Sequence, residues 1–154
     1  MAFMLIAVLV SCDKDEFTIE DKLVTGTFNY TQSGFEPLEV DPVTQQPLKA
    51  RISFTGNGTL SDLGEVSLEI SFIFDFVAGQ GSDLVANYKG TNPSDSFTGS
   101  GSSQMTGNMT FTVTENLSNG KGKFEKIKGG GPTNVVLNPQ GTEGTGEAQW
   151  TVTY

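Results

Sequence analysis

Glu65-Val66-Ser67-Leu68-Glu69-Ile70-Ser71-Phe72-Ile73-Phe74-Asp75-Phe76 alternates between two chemistries. Val66, Leu68, Ile70, Phe72, Phe74 and Phe76 point one way; Glu65, Ser67, Glu69, Ser71 and Asp75 point the other. Ile73 alone breaks the pattern. Period two is the mark of a strand with one face buried and one in water. At about 3.3 Å per residue the twelve span roughly 40 Å, so the strand has to bend or bulge.

The same pattern extends in both directions. Val24, Phe28 and Tyr30 share a face, as do Leu48, Ala50, Ile52 and Phe54, with Lys49, Arg51, Ser53 and Thr55 opposite. Downstream, Leu84, Ala86 and Tyr88 form one segment, and Ser94–Gly101 a weaker one. Met105, Met109, Phe111 and Val113 alternate with Thr106, Asn108, Thr110, Thr112 and Thr114. Phe124 and Ile127 lie in a short lysine-rich piece, and Val135–Leu137 in another. Ala148, Trp150, Val152 and Tyr154 bring the strand pattern to the last residue. Gly, Asn and Pro punctuate the segments, and Gln32–Pro47, with three prolines, reads as the longest loop. No amphipathic helix exceeds two turns. The fold class is therefore all-β, a single antiparallel β-barrel of about eight strands, with a β-sandwich as the alternative arrangement. One apolar face per strand suits a sheet closed on itself, with the last strand pairing with the first, and closure removes the exposed edges.

Composition narrows the function. The chain has no histidine and one cysteine. That excludes Ser-His-Asp and Cys-His catalysis, His-ligated metal sites and an internal disulfide. Nine basic against 18 acidic residues give a net charge of −9, opposite to the basic footprint that nucleic acid requires.

The N-terminus carries an address. Ala2–Val10 is an apolar run too short to span a bilayer but of the length found in a secretory signal. No Lys or Arg precedes it, which a start further upstream would supply. Leu9-Val10-Ser11-Cys12 resembles the lipobox of bacterial lipoproteins, in which the signal is cut before a cysteine that then carries the lipid. The resemblance implies a signal peptide over 1–11, a lipidated tether over 12–22 and a barrel domain over 23–154. It also implies a membrane partner through acyl chains on Cys12, more than one of which is needed for stable attachment. Asp13-Lys14-Asp15-Glu16 is similar to the export tag of lipoproteins displayed on the surface of some Gram-negative cells. The expected location is the bacterial cell envelope, at the outer membrane.

Two further stretches resemble the allene oxide cyclase and dirigent type of barrel. Gly58-Thr59-Leu60-Ser61-Asp62-Leu63-Gly64 is similar to a turn of bacterial relatives, and Gly120-Lys121-Gly122-Lys123-Phe124-Glu125-Lys126-Ile127-Lys128-Gly129 to the family's glycine-framed hairpin. The resemblance implies an eight-stranded, calycin-like barrel with an apolar interior. It transfers no activity, because those enzymes need polar groups inside, and the inward register of the readable strands is expected to carry no charge.

Candidate sites follow from these faces. Without histidine, acid–base candidates are the carboxylates at strand ends: Asp62, Asp75, Asp83 and Asp95. Glu65 and Glu69 share a face but lie roughly 13 Å apart by strand rise, too far for a paired-carboxylate site. No acidic spacing matches a calcium loop, and Gly99-Ser100-Gly101 and Gly144-Thr145-Gly146 lack a phosphate-binding context and read as turns. Phe72, Phe74, Tyr88, Trp150 and Tyr154 are candidates for lining a ligand pocket, with core packing as their simpler role. Lys121, Lys123, Lys126 and Lys128 form a candidate docking patch for an anionic group, with edge protection as theirs. No catalytic residue, metal or cofactor is assigned. The leading expectation is a non-enzymatic, lipid-anchored module that binds an apolar molecule, a glycan or an envelope partner. A cyclase-like isomerase is the alternative, testable by a carboxylate facing inward, and a small transmembrane barrel with lipid-facing apolar residues is the second alternative.

Overall fold

Eight strands, each with one apolar face, cannot bury those faces in an open sheet, and here the sheet closes. The computed structural model describes residues 21–154. The strands are β1 (Lys22–Val40), β2 (Pro47–Leu60), β3 (Gly64–Asp75), β4 (Gln80–Gly90), β5 (Ser96–Gly107), β6 (Thr110–Lys121), β7 (Lys128–Leu137) and β8 (Glu143–Thr153). They form a closed antiparallel barrel in sequence order, β8 pairing with β1 from Lys22 opposite Val152 to Thr31 opposite Glu143. A barrel, not a sandwich, is the architecture. The long β3 relieves its curvature with a register shift against β4 between Ser71 and Ile73.

Up-and-down order gives the barrel two different ends. The β2–β3, β4–β5 and β6–β7 connections share one end with Lys22 and Tyr154, and the other four turns share the opposite end. At the first end Leu60, Leu63, Phe124 and Ile127 are all buried and plug the barrel. Phe124 sits in a 3₁₀ turn, Gly122–Phe124, between β6 and β7, so the lysine-rich piece is a folded stopper and not a strand hairpin. Asp95 accepts a hydrogen bond from the Lys123 backbone N–H (3.1 Å), and Lys123 Nζ donates to the Leu63 carbonyl (2.8 Å). The two glycine-framed stretches thus meet at this closed end.

Above the plug the interior is packed by rings. Trp150, Phe28 and Phe97 are almost wholly buried. Tyr88 stacks on Phe97 with centroids 4.6 Å apart, and Phe97 meets Phe124 edge-on at 5.0 Å. Glycines make room for these rings. Phe28 has Gly58 beside it on β2 and Gly146 on β8, and a Cβ at Gly58 would overlap the Phe28 ring. This alternation of large and absent side chains lets a narrow barrel hold a tryptophan without strain.

Several local expectations are corrected. Gln32–Pro47 is mostly strand: β1 runs to Val40, leaving Asp41–Gln46 as the turn, capped by Asp41 Oδ1 on the Val43 and Thr44 amides (both 2.8 Å). Beyond Thr31 this hairpin leaves β8 and continues with β2 alone. Met105 to Thr114 is not one strand but two, turning at Asn108-Met109, where Met109 has a φ of 57°. The Gly99/Gly101 and Gly144/Gly146 pairs are not turns. They lie inside β5 and β8, where neighbouring side chains need the space.

Candidate functional site

The half of the barrel above Tyr30 and Phe54 is hollow. Its cavity measures about 390 Å³, within the range of small-molecule sites. Walls come from inward positions of six strands: Tyr30 and Phe35 on β1, Ile52 and Phe54 on β2, Ile70, Phe72 and Phe74 on β3, Ser103 and Met105 on β5, Phe111, Val113 and Glu115 on β6, and Val135 and Leu137 on β7. Aromatic edges and faces hold one another in place. Phe54 stacks on Phe72 at 6.3 Å, and Phe74 receives the Phe72, Phe76 and Phe111 rings edge-on at 6.4, 5.1 and 5.7 Å. Gln32, Gln140 and Gly141 also line it, which puts the mouth where the β1–β2 hairpin parts from the β7–β8 turn.

One charged group faces inward, and it corrects the expectation of an uncharged interior. Glu115 is 2% exposed. Its Oε1 accepts a hydrogen bond from the Tyr88 hydroxyl (2.8 Å). The backbones beside it on β5 and β7 are Gly101 and Gly131, and a Cβ on Gly99 would lie 2.5 Å from Oε1. Gly99 therefore opens the space the carboxyl occupies. Burial pushes Glu115 up to about 7, and the Tyr88 hydrogen bond partly offsets that rise. Burial raises Tyr88 and Tyr30 as well, and the neighbouring Glu115 charge adds to both. Glu115 was legible in principle: Phe111, Val113, Glu115 and Leu117 continue a single alternation.

Ser103 is the second polar group on the wall. It is 6% exposed, and among the described residues its Oγ has no hydrogen-bond partner. Its inward neighbour on β4 is Gly81, where a Cβ would collide with that Oγ.

The residues singled out from sequence separate by height in the barrel. Phe72 and Phe74 line the cavity. Tyr88 lies just below it and supports Glu115, while Trp150 is packed deeper and gives its indole N–H to Thr133 Oγ1 (3.2 Å). Tyr154 lies at the closed end, its ring 5.0 Å from Lys22 Nζ. None of Asp62, Asp75, Asp83 and Asp95 reaches the cavity. Asp62 and Asp83 adopt positive φ (61° and 52°), Asp75 caps the Val77 and Ala78 amides, and Asp95 holds the stopper. Glu69 faces outward, 3.9 Å from Lys89. Lys121, Lys123, Lys126 and Lys128 gather at the closed end, away from the mouth, and Cys12 lies outside the described residues. Among the described residues no group of three or more Cys, Asp or Glu side chains is placed to hold a metal ion.

No family model matches this chain, and neither the curated proteins nor the solved structures contain a match to it.

Proposed function

We propose that this chain is a lipid-anchored binding module of a bacterial cell envelope that holds an apolar small molecule in the open half of its barrel. The observation that carries this reading is the aromatic-walled cavity of about 390 Å³ with its mouth at one end. Transfer of an apolar ligand from water to such walls contributes roughly 25 cal/mol per Å² buried. The geometry supports an apolar ligand over a glycan, since Trp150 and Tyr88 are too deeply buried to offer a stacking face. The lipid-facing alternative calls for an apolar exterior, whereas the outward positions of β2 and β3 carry Lys49, Arg51, Glu65 and Glu69.

The anchor belongs to the same proposal. β1 begins at the closed end, so a tether from Cys12 would leave the mouth directed away from the bilayer, beside neither lipid nor the lysine cluster. An isomerase is the second reading, and one observation favours it: a carboxyl with a near-neutral pKa reaches an apolar cavity.

The test is binding of N-phenylnaphthylamine, whose emission rises in apolar surroundings. Wild-type protein is expected to bind it with micromolar affinity. Ile52→Trp, which fills the cavity from its wall, is expected to abolish the signal while leaving circular dichroism and the urea midpoint close to wild type. Equal emission from both proteins would remove the cavity from the account. Mass spectrometry of native protein from membranes should find acyl chains on Cys12, and Cys12→Ala should become soluble. A Cys12→Ala protein still in membranes would argue for the transmembrane barrel. If Glu115→Gln protein copurifies with a different compound from wild type, the isomerase reading gains over simple binding.

A further inference from the structure

We propose that the molecule held in this cavity carries a hydroxyl head group seated against Glu115, and that the site rejects the corresponding carboxylate. This rests on the binding reading above and adds the ligand's chemical class.

Away from the mouth, the cavity offers three side-chain polar groups: the Glu115 carboxyl, the Tyr30 hydroxyl and Ser103 Oγ. Tyr88 occupies one Glu115 oxygen, and among the described residues the other receives no hydrogen bond. Ser103 is buried with its hydroxyl unpartnered, a state that native interiors rarely leave unanswered. The two lie at different heights of one inward face. On the β5–β6 ladder Ser103 is opposite Val113 and Glu115 opposite Gly101, but the Glu115 carboxyl leans toward Gly99, away from Ser103, and meets Tyr88 there. The second Glu115 oxygen is therefore the group placed to receive a head group, with Ser103 on the wall nearer the mouth.

Charge decides which head fits. Among the described residues no Lys or Arg lines the cavity. A carboxylate head would therefore meet Glu115 without a counter-ion, in surroundings that strengthen the repulsion. An ammonium head would have to shed its hydration among phenylalanines. A hydroxyl donates to the Glu115 carboxylate or accepts from its protonated form. The groups facing Glu115 from the packed strands are Tyr88 on β4 and Tyr30 on β1. Strands β5 and β7 bring Gly99, Gly101 and Gly131, so no basic side chain compensates it. Burial holds Glu115 near neutrality, and discrimination against a carboxylate should weaken as it takes up its proton.

The experiment is displacement of bound N-phenylnaphthylamine by decanol, decanoate and decylamine. At about pH 8 decanol is expected to displace the reporter at a concentration at least tenfold below that of decanoate. The gap should narrow several-fold at about pH 6, and likewise in Glu115→Gln at either pH. Equal or better displacement by decanoate, or a gap that survives Glu115→Gln, would overturn the head-group assignment while leaving apolar binding intact. Strongest displacement by decylamine would replace the hydroxyl with a cation. Failure of the reporter itself to bind wild-type protein would remove both this inference and the reading beneath it.

Discussion

The two halves of this barrel are built from the same inward-facing strands and yet one is solid and the other hollow. In the closed half three large side chains have a smaller partner across the ladder. Phe28 lies between Gly58 and Gly146, Leu60 pairs with Gly26, and Trp150 sits across from Val24. In the open half, three rings face other bulky groups along the wall, Phe54 opposite Ile70, Phe72 opposite Ile52 and Phe111 opposite Met105, while Phe74 and Tyr30 have small partners. Large side chains side by side hold one another against the barrel wall, and the axis stays empty. Large beside absent side chains lets a ring lean inward and fill the axis. Glu115 and Tyr88 lie at the boundary, where the packed interior meets the space above it.

The largest expected effect is in the closed half. Trp150→Ala removes a fully buried indole and its bond to Thr133, and should cost about 3–5 kcal/mol, read as a lowered urea midpoint. A cost near 1 kcal/mol would mean that this half is no better packed than the other.

The boundary comes next. The Glu115 pKa is raised in the fold from an ordinary 4.5 to about 7. Between those values the folded state binds more proton than the unfolded chain, so stability should be fullest below about pH 4.5 and fall as pH rises through 7. The loss attributable to this group is roughly 3 kcal/mol at about pH 8. Glu115→Gln should remove that slope from urea titrations at acid and alkaline pH. A variant with the wild-type slope would mean that the carboxyl is better solvated from the cavity than its burial implies.

The smallest effect belongs to the open wall. Phe111→Leu adds to a cavity that already exists and leaves the Phe74 ring supported by Phe72 and Phe76, so a loss of about 1 kcal/mol is expected. The same variant should change reporter affinity more than it changes stability, whereas Trp150→Ala should do the reverse.

Much of the architecture was legible because period two survives any tertiary context that buries one face. Val66 to Phe74 could be assigned to the interior from spacing alone, and the pairing of the last strand with the first was expected because one apolar face per strand suits a closed sheet. Legibility failed where a residue type carried two meanings. Gly99, Gly101, Gly144 and Gly146 read as turns, since glycine usually marks one. Their actual service, clearing space for Glu115, Leu137 and Tyr30, depends on strands distant in sequence. Met109 concealed a turn because it is not a residue associated with positive φ. Glu115 hid inside an otherwise ordinary alternation.

Alternation of apolar and polar side chains, with the absence of histidine and a compositional bias toward glycine and phenylalanine, determined by itself that this chain is all-β and without histidine chemistry, with closure into a barrel favoured over a sandwich. Which half of that barrel is filled, and that a lone carboxyl and an unpartnered hydroxyl share the wall of the empty half, was decided only by the tertiary structure. The reason is that strand polarity is a property of each segment. Free volume and the company a buried charge keep are properties of register, set by which residue of one strand lies beside which residue of the next.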